Sequence, residues 1–153
     1  MEISNVQHMF SSFPIVMADD DQEDKLLVKH AFITLGKAEL FGSVADGVAL
    51  LEYLEECLKH GRALPSLILL DLNMPKMDGK AVLAKIRGHE RLRHLPVTIY
   101  STSNNEDEIH RCYQLGANCY LVKPFNFDQL VEEMEKLYNF WFNVVKLPNT
   151  FGV

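Results

Sequence analysis

Residues 66–79, SLILLDLNMPKMDG, decide how this chain of 153 residues folds. The segment opens with a short unbroken apolar run at residues 67–70, which is typical of a strand buried on both faces of a parallel sheet. The run ends at one carboxylate, Asp71, and a turn rich in Asn, Pro, Asp and Gly follows it. Ligands of open α/β sheets bind at the carboxyl ends of the strands, so Asp71 is the first candidate functional residue.

Four more strand-like segments lie around this one and alternate with helical patterns. Strands are also predicted at residues 14–18, 39–44, 97–101 and 119–122. Helices are predicted at residues 22–35, 47–58, 80–87, 104–114 and 127–139. This alternation predicts an α/β fold, with a doubly wound parallel sheet of five strands in the flavodoxin-like order 2-1-3-4-5, flanked by five helices.

Capping residues and apolar spacing add detail to the predicted helices. Asp46 is a candidate N-cap, Ser103 with Glu106 fits a capping box, and Asn126 resembles a capped start. In the helix at residues 22–35, one apolar face is predicted from the spacing of Leu26, Leu27, His30 and Ile33 or Thr34.

Composition excludes several classes of protein. The formal net charge of −6 disfavours general attraction to DNA or to anionic membranes. No apolar run approaches the roughly 18 residues that a membrane span needs, and the first residues lack a secretion signal. The three cysteines, Cys57, Cys112 and Cys119, have no metal-ligand spacing, which favours free thiols in a reducing cytoplasm.

Polar side chains follow four of the predicted strands. Asp19 and Asp20 close strand 1, Asp71 closes strand 3, Ser101 closes strand 4, and Lys123 follows strand 5. Parallel strands end at the same edge, so three carboxylates, a hydroxyl and an ammonium are expected in one crevice. Each residue alone is more simply a helix cap, a solvated turn or a packed polar group, and the prediction depends on their combination.

The residue types indicate phosphoryl chemistry. Crowded carboxylates repel one another, and a hard divalent cation, Mg²⁺ or Mn²⁺, relieves that repulsion. An aspartate held beside the cation can act as the nucleophile towards a phosphoryl group, while Lys123 neutralises charge and Ser101 donates a hydrogen bond.

Four separated motifs occur in one order: ADDD at residues 18–21, LLDLNMPKMDG at 69–79, STS at 101–103 and YLVKPF at 120–125. Together they resemble the receiver domain of two-component response regulators. The resemblance covers about residues 13–139, and it leaves an N-terminal arm at 1–12 and an aromatic extension at 140–153. The long loop before strand 3 and the aromatic tail resemble single-domain, CheY-like receivers that partner bacteriophytochrome histidine kinases.

The resemblance implies a role for each matching residue. Asp71 is the phosphoacceptor. Asp20 contacts Mg²⁺ directly, Asp19 contacts it through water, and Asn73 supplies its backbone carbonyl. The protein is then a switch rather than an enzyme, with activity limited to Mg²⁺-dependent self-phosphorylation and autodephosphorylation.

The resemblance also assigns the switch residues. Ser101 matches the switch hydroxyl, Lys123 the family's lysine, Tyr120 the aromatic switch on strand 5, and Pro124 a proline that is commonly cis in the family. One position departs from the pattern: Thr102 follows the switch hydroxyl, where the family usually has Ala or Gly. Its branched side chain puts the lifetime of the acyl phosphate and the geometry of the switch in doubt.

The chain continues past the last predicted helix with Phe140, Trp141 and Phe142. This segment is expected either to pack on the chain's own core or to form a partner surface. With no DNA-binding output domain expected, the output is binding to a histidine kinase, to a downstream phosphotransfer protein, or to another copy through the face of helix 4, strand 5 and helix 5 with the extension.

Three alternative functions fit these residues less well. A docking module that works without phosphorylation would retain the fold but not need the complete set of site residues. A hydrolase with an aspartyl-phosphate intermediate would want an aspartate at the position of Asn73. A flavin-binding protein would need a phosphate loop where the acidic residues 19–24 stand.

Overall fold

A computed structural model describes Ile3 and residues 12–148. All five predicted strands are present and pair in parallel, in the order β2-β1-β3-β4-β5. The strands are β1 (Ile15–Ala18), β2 (Phe41–Val44), β3 (Leu67–Leu70), β4 (Val97–Ser101) and β5 (Cys119–Val122). The predicted flavodoxin-like sheet is therefore confirmed.

Five α-helices connect and cover the strands. They are α1 (Gln22–Thr34), α2 (Gly47–Lys59), α3 (Gly79–Gly88), α4 (Glu106–Gln114) and α5 (Phe127–Tyr138). A short 3₁₀ turn, Ala38–Leu40, precedes β2, so this strand starts two residues later than predicted.

Side chains that alternate along the strands divide the core into two layers. Residues such as Val16 and Ile68 face α2, α3 and α4, whereas Ile15 and Leu67 face α1 and α5. The three central strands, β1, β3 and β4, are buried along their whole length. Burial on both faces explains why β1 and β3 read as continuous apolar runs rather than as alternating patterns.

The predicted apolar face of α1 is wrong. Leu26, Leu27 and Ile33 are 51%, 40% and 45% exposed. The helix instead buries a different side, which carries Lys25, Val28, Ala31 and Phe32. Apolar residues at spacings of three and four lie on two sides of this helix, so the sequence pattern alone does not decide which side meets the sheet.

Two of the three predicted N-caps are confirmed. The side chain of Asp46 accepts a hydrogen bond from the Ala49 N–H at 2.8 Å, and that of Asn126 accepts one from the Gln129 N–H at 2.8 Å. The capping box at Ser103 is wrong, because α4 begins later and Asn105 is its N-cap. Ser103 stands two residues earlier in the loop, where its hydroxyl accepts from the Asn105 N–H.

The aromatic extension continues α5 as a π-helical segment, Asn139–Val144. Trp141 and Phe142 pack against the α1–α5 layer of the core, whereas Phe140 is 48% exposed and Val144 is 72% exposed. The expectation that the segment packs on the core is thus met for one side, and its exposed side remains a prediction of a partner surface. Residues 149–153 of the predicted extension lie outside the described residues.

Two residues of the predicted N-terminal arm are described, Ile3 and Ser12. Ile3 is buried, and its N–H donates to the Ser43 carbonyl of the edge strand β2 at 2.7 Å. The remaining residues of the predicted arm lie outside the described part of the chain. Across Ile3 and residues 12–148, no helix combines the length and the apolar character that crossing a membrane requires.

Candidate functional site

Strand register places the predicted acids side by side. Ala18 of β1 is paired with Leu70 of β3, so the residues that follow them, Asp19 and Asp71, leave the sheet as neighbours. Asp19 is fully buried, Asp71 is 7% exposed and Asp20 is exposed. One carboxylate oxygen from each of the three lies within 4.8 Å of the others. The structure therefore brings the three predicted acids together.

The loop after β3 fixes the backbone at Asp71. The Asp71 N–H donates to the Ala18 carbonyl at 3.1 Å, and the Gly79 N–H donates to the Leu72 carbonyl at 2.9 Å. The loop thus folds back so closely that a Cβ on Gly79 would collide with the backbone of Asp71 and Leu72. Only glycine fits this approach, which explains why it ends the segment that decides the fold.

Lys123 lies among the acids. Its Nζ is 2.8 Å from Asp19 Oδ2, 2.7 Å from Asp24 Oδ2 and 3.6 Å from Asp71 Oδ1. The shorter two contacts are charge-assisted hydrogen bonds, whereas the distance to Asp71 is beyond hydrogen-bond range. Lys123 was predicted at this edge of the sheet and is present there.

Asp24 is the site residue that the sequence analysis missed. It lies in the first turn of α1, where no strand-end search would find it. The available signal was its spacing: α1 starts directly after β1, and Asp24 is one helical turn beyond Asp20. A helix that starts at a strand end returns its first-turn side chains to the same edge of the sheet.

Burial and like charge perturb the acids. Burial, and then the Asp19 carboxylate, raise the pKa of Asp71 to about 6, against the opposing effect of Lys123. Burial also raises the pKa of Asp19, although the hydrogen bond from Lys123 opposes it. For Lys123, burial opposes the charged form, but its hydrogen bonds to Asp19 and Asp24 prevail and raise its pKa. The site thus holds more negative charge than its one ammonium neutralises.

A divalent cation fits this donor set. Asp19, Asp24 and Asp71 lie within 4 Å of the Lys123 ammonium, and Asp20 clusters with Asp19 and Asp71; hard oxygen ligands are those that Mg²⁺ and Mn²⁺ prefer. Both Asp19 oxygens already accept hydrogen bonds, from Lys123 and from the Asp21 N–H. The exposed Asp20 carboxylate is the most accessible ligand of the cluster.

The predicted switch residues lie beside this cluster. Ser101, at the end of β4, is fully buried, and its Oγ accepts from the Ser103 N–H at 3.2 Å. The hydroxyl of the half-buried Tyr120 donates to the Ser103 carbonyl at 2.9 Å. Both side chains therefore hold the same short segment of the loop before α4. Thr102, the residue that departs from the family pattern, is exposed between them.

The remaining predicted residues lie in different surroundings. Asn73 is exposed in the loop after β3. The prediction of a cis peptide bond before Pro124 is wrong, since no peptide bond among the described residues is cis. The trans isomer is the one favoured for X-Pro bonds, by about 0.5–1 kcal/mol.

The aromatic extension forms a different surface. Phe140 and Trp141 line an apolar groove of about 480 Å³, together with Cys119 and Leu121 of the edge strand β5. Charged side chains of α5, Glu133 and Lys136, also line it. None of the acids of the cluster lines this groove, so it is a feature separate from the strand-end site.

Comparison with known proteins identifies the family. The sequence model of the family described as "Response regulator receiver domain" matches residues 15–135. The probable methanogenesis regulatory protein FilR2 of Methanothrix harundinacea is 37% identical over 136 residues, which make up 89% of this chain and 88% of that protein. Response regulator Rcp1 of Synechocystis is 36% identical over 135 residues, covering 88% of this chain and 92% of Rcp1.

Solved structures agree with the sequence comparison. The phosphorylated cyanobacterial phytochrome response regulator RcpA is similar with a TM-score of 0.80 and 35% identity, over 91% of this chain and 100% of that one. The Mn²⁺-bound form of Rcp1 is similar with a TM-score of 0.76 and 36% identity, over 88% of this chain and 97% of that one. This chain belongs to the response regulator receiver domain family, whose members are phosphoacceptor switches of two-component systems and partner histidine kinases.

Proposed function

We propose that this protein accepts a phosphoryl group on Asp71 from a histidine kinase and signals by binding other proteins according to its phosphorylation state. The observation that supports Asp71 most is its position: it is nearly buried at the end of the central strand, within 3.6 Å of Lys123 and within reach of two further carboxylates. A cytoplasmic location is part of this proposal, as is a receiver domain at residues 13–139 between an arm at 1–12 and an extension at 140–153.

The transfer step is a substitution at phosphorus. A carboxylate oxygen of Asp71 forms a bond to the phosphorus, and the bond to the donor's imidazole nitrogen breaks. The electron pair stays on that nitrogen, and the proton carried by the donor ring's other nitrogen makes the leaving group neutral imidazole. Lys123 balances charge on the phosphoryl oxygens, and Ser101 donates its hydroxyl hydrogen to one of them after the loop moves. The receiver itself promotes both this phosphoryl transfer and the later hydrolysis of the acyl phosphate.

The metal site is proposed around the same acids. Asp20 and Asp71 are direct ligands, the Asn73 carbonyl is a third, and Asp19 acts through water because both its oxygens are already hydrogen-bonded. When bound, Mg²⁺ or Mn²⁺ neutralises the charge of the transferring group. These acids contribute by holding their oxygens close together despite the repulsion that raises the Asp71 pKa.

Signalling is proposed to be a population shift between two arrangements of the loop before α4. Ser101 and Tyr120 both bind the backbone of Ser103, so a move of the Ser101 hydroxyl towards a phosphoryl group disturbs the anchor of Tyr120. The change then reaches the face formed by α4, β5 and α5. Thr102, being exposed, has room to move with the loop, so we expect its main effect to be on solvent access to the phosphoryl group.

The kinase is proposed to dock beside the site on the exposed apolar side of α1. Leu26 and Leu27 are exposed there, in the helix that carries Asp24. Phe125 is fully exposed in the loop after Lys123, and a small pocket lined by Leu27 and Phe125 joins the two elements. Exposed apolar side chains grouped in this way favour a protein interface. Because RcpA is a phytochrome response regulator, we infer a phytochrome-type histidine kinase.

A second surface is proposed for a homodimer or a downstream phosphotransfer protein. The exposed Phe140 stands beside the apolar groove along β5, and Glu133 and Lys136 provide charges of both signs for a two-fold arrangement. Sedimentation velocity of the wild type and of Phe140→Asp tests the dimer. Loss of a dimer in the variant supports it, and a wild type that is monomeric at high concentration contradicts it.

The central test is incubation with acetyl phosphate and Mg²⁺ followed by intact-mass measurement. The wild type is expected to gain one phosphoryl group, and Asp71→Asn is expected to gain none. Asp128→Asn is the matched control, because Asp128 is exposed in the first turn of α5 and the change in charge is the same. The gain must also disappear when Mg²⁺ is chelated.

Two results would contradict the proposal. Addition of a phosphoryl group to Asp71→Asn would show that another residue is the phosphoacceptor. Absence of any adduct at short times, together with no binding of beryllofluoride, would favour a docking module that works without phosphorylation. The surfaces on α1 and along β5 would then be the sites to study.

A further inference from the structure

We infer that Asp24 is a positioning residue that holds Lys123 in a resting position and competes for it with a phosphoryl group on Asp71. This inference rests on the proposed function of Asp71. In the structure Lys123 is closer to Asp24, at 2.7 Å, than to Asp71, at 3.6 Å. The residue therefore limits how readily the phosphorylated state forms.

The position of Asp24 is fixed by the start of α1. Asp21 is the N-cap, and its Oδ1 accepts from the N–H groups of Glu23 and Asp24 at 2.9 and 3.3 Å. The Asp24 side chain is 28% exposed, so it is partly screened from water and directed at the ammonium rather than at solvent. The cap fixes the backbone at Asp24, and from there the side chain reaches the Lys123 ammonium at 2.7 Å.

The Lys123 ammonium cannot bind Asp19, Asp24 and Asp71 equally well. Two of its three N–H donors are used by Asp19 and Asp24, and the distance to Asp71 is longer, at 3.6 Å. Asp19 is fully buried and depends on Lys123 for its only ion pair among the described residues, so that contact is costly to break. Asp24, which retains access to water, is the partner that Lys123 can release.

Phosphorylation changes this balance. A phosphoryl group adds more negative charge at Asp71, and Lys123 has to move towards its oxygens. The move leaves the Asp24 carboxylate without its cation and close to the new charge, which is unfavourable. Asp24 therefore opposes phosphorylation in the wild type, and removal of its charge is expected to favour the phosphorylated state.

The test uses beryllofluoride, which mimics the phosphoryl group on an aspartate. Its affinity is measured by isothermal titration calorimetry at saturating Mg²⁺. Asp24→Asn is expected to bind beryllofluoride about tenfold more tightly than the wild type, and Asp24→Glu, which restores the charge, is expected to return towards the wild-type affinity. A purely structural role for Asp24 would not give tighter binding.

Glu23→Gln is the matched control. Glu23 is the adjacent residue in the same turn of α1, is exposed and has no ion pair with Lys123, so the variant loses the same charge without the contact. Its affinity for beryllofluoride is expected to equal that of the wild type. An equal gain in both variants would show a general effect of net charge and would overturn the inference.

The other outcomes are also decisive. Unchanged or weaker binding by Asp24→Asn overturns the inference while leaving the proposed function intact, because the wild type still binds. Failure of the wild type to bind beryllofluoride contradicts the proposed function itself. Asp24→Ser provides a second variant without the charge, with the same expected tenfold gain, should Asp24→Asn not fold.

Discussion

The two ends of the sheet use charge in opposite ways. At the carboxyl end, three carboxylates lie within 4 Å of the Lys123 ammonium, and Asp20 adds a fourth to the acid cluster. At the amino end, the guanidinium of Arg87 donates to the carbonyls of Gly116, Arg93 and Leu95 and to the side chain of Asn118, at 2.8 to 3.1 Å. The carboxyl end therefore holds more negative than positive charge, whereas at the amino end the charge of Arg87 is stabilised by neutral hydrogen-bond acceptors.

The difference separates stability from function. Arg87 joins the end of α3 to the chain segments that enter β4 and β5, so it fixes the amino end of the sheet. Among the described residues Arg87 has no carboxylate partner, and four of its five N–H donors are used by neutral acceptors. The acids at the other end repel one another, and a divalent cation would relieve that repulsion. Clusters of like charge that lower the stability of the folded state in this way are commonly functional sites.

The largest effect on stability is expected at the amino end. Arg87→Ala removes four donated hydrogen bonds, and one of the lost acceptors is the carbonyl of the fully buried Leu95, whereas the Asn118 side chain keeps the Val97 N–H as a donor. Because buried acceptors without donors are costly, the free energy of unfolding is expected to fall by about 3 kcal/mol. Urea unfolding followed by circular dichroism measures it.

The control for Arg87→Ala is Lys85→Ala on the same helix. Lys85 is exposed, so its replacement is expected to change the free energy of unfolding by no more than about 0.5 kcal/mol. Similar losses in the two variants would contradict the special role of the Arg87 contacts.

A smaller effect of opposite sign is expected at the carboxyl end. Asp71→Asn removes a buried charge and is expected to raise the free energy of unfolding of the metal-free protein by about 2 kcal/mol at pH 8. The pKa of Asp71 is raised to about 6 in the folded state, above the value of 3.8 expected for the unfolded chain. The folded state therefore binds the proton more tightly, and the charge costs stability as the pH rises through this window.

The pH dependence provides the check. The gain from Asp71→Asn is expected to be complete above about pH 6 and to vanish below about pH 4, where the wild-type carboxyl is protonated in both states. Thermal unfolding in EDTA at several pH values measures this. Asp20→Asn, at an exposed position, is expected to give a smaller gain, and added Mg²⁺ should narrow the difference between Asp71→Asn and the wild type. A less stable Asp71→Asn at pH 8 would contradict the comparison.

The fold was largely predictable because its strands are short, apolar and buried on both faces. In the runs at β1, β3 and β4, polar residues stand directly at the ends, so the strand bounds and the acids at them could be read together. The strand order followed from the alternation with helices and the resemblance to receiver domains. The positions of Asp19, Asp71 and Lys123 at one edge followed from that order.

The errors have a common physical cause. Helix α1 has apolar residues on two sides, and the sequence does not say whether Leu27 or Val28 faces the sheet. The loop before α4 offers two capping residues, Ser103 and Asn105, and the backbone path decides between them. Asp24 was missed for a similar reason, since its contact with Lys123 depends on where α1 starts.

The smallest effect is expected for Tyr120→Phe, which removes one hydroxyl at the edge of the carboxyl-end site. The Tyr120 hydroxyl donates to the Ser103 carbonyl at 2.9 Å, and both residues are only half-buried, so water can replace the lost partner. The free energy of unfolding is therefore expected to fall by no more than about 1 kcal/mol. Urea unfolding measures this, with Tyr113→Phe, at a 48% exposed position on α4, as the unchanged control. A loss of unfolding free energy close to that of Arg87→Ala would mean that the loop before α4 is held as firmly as the amino end of the sheet. The contrast between the two ends would then fail.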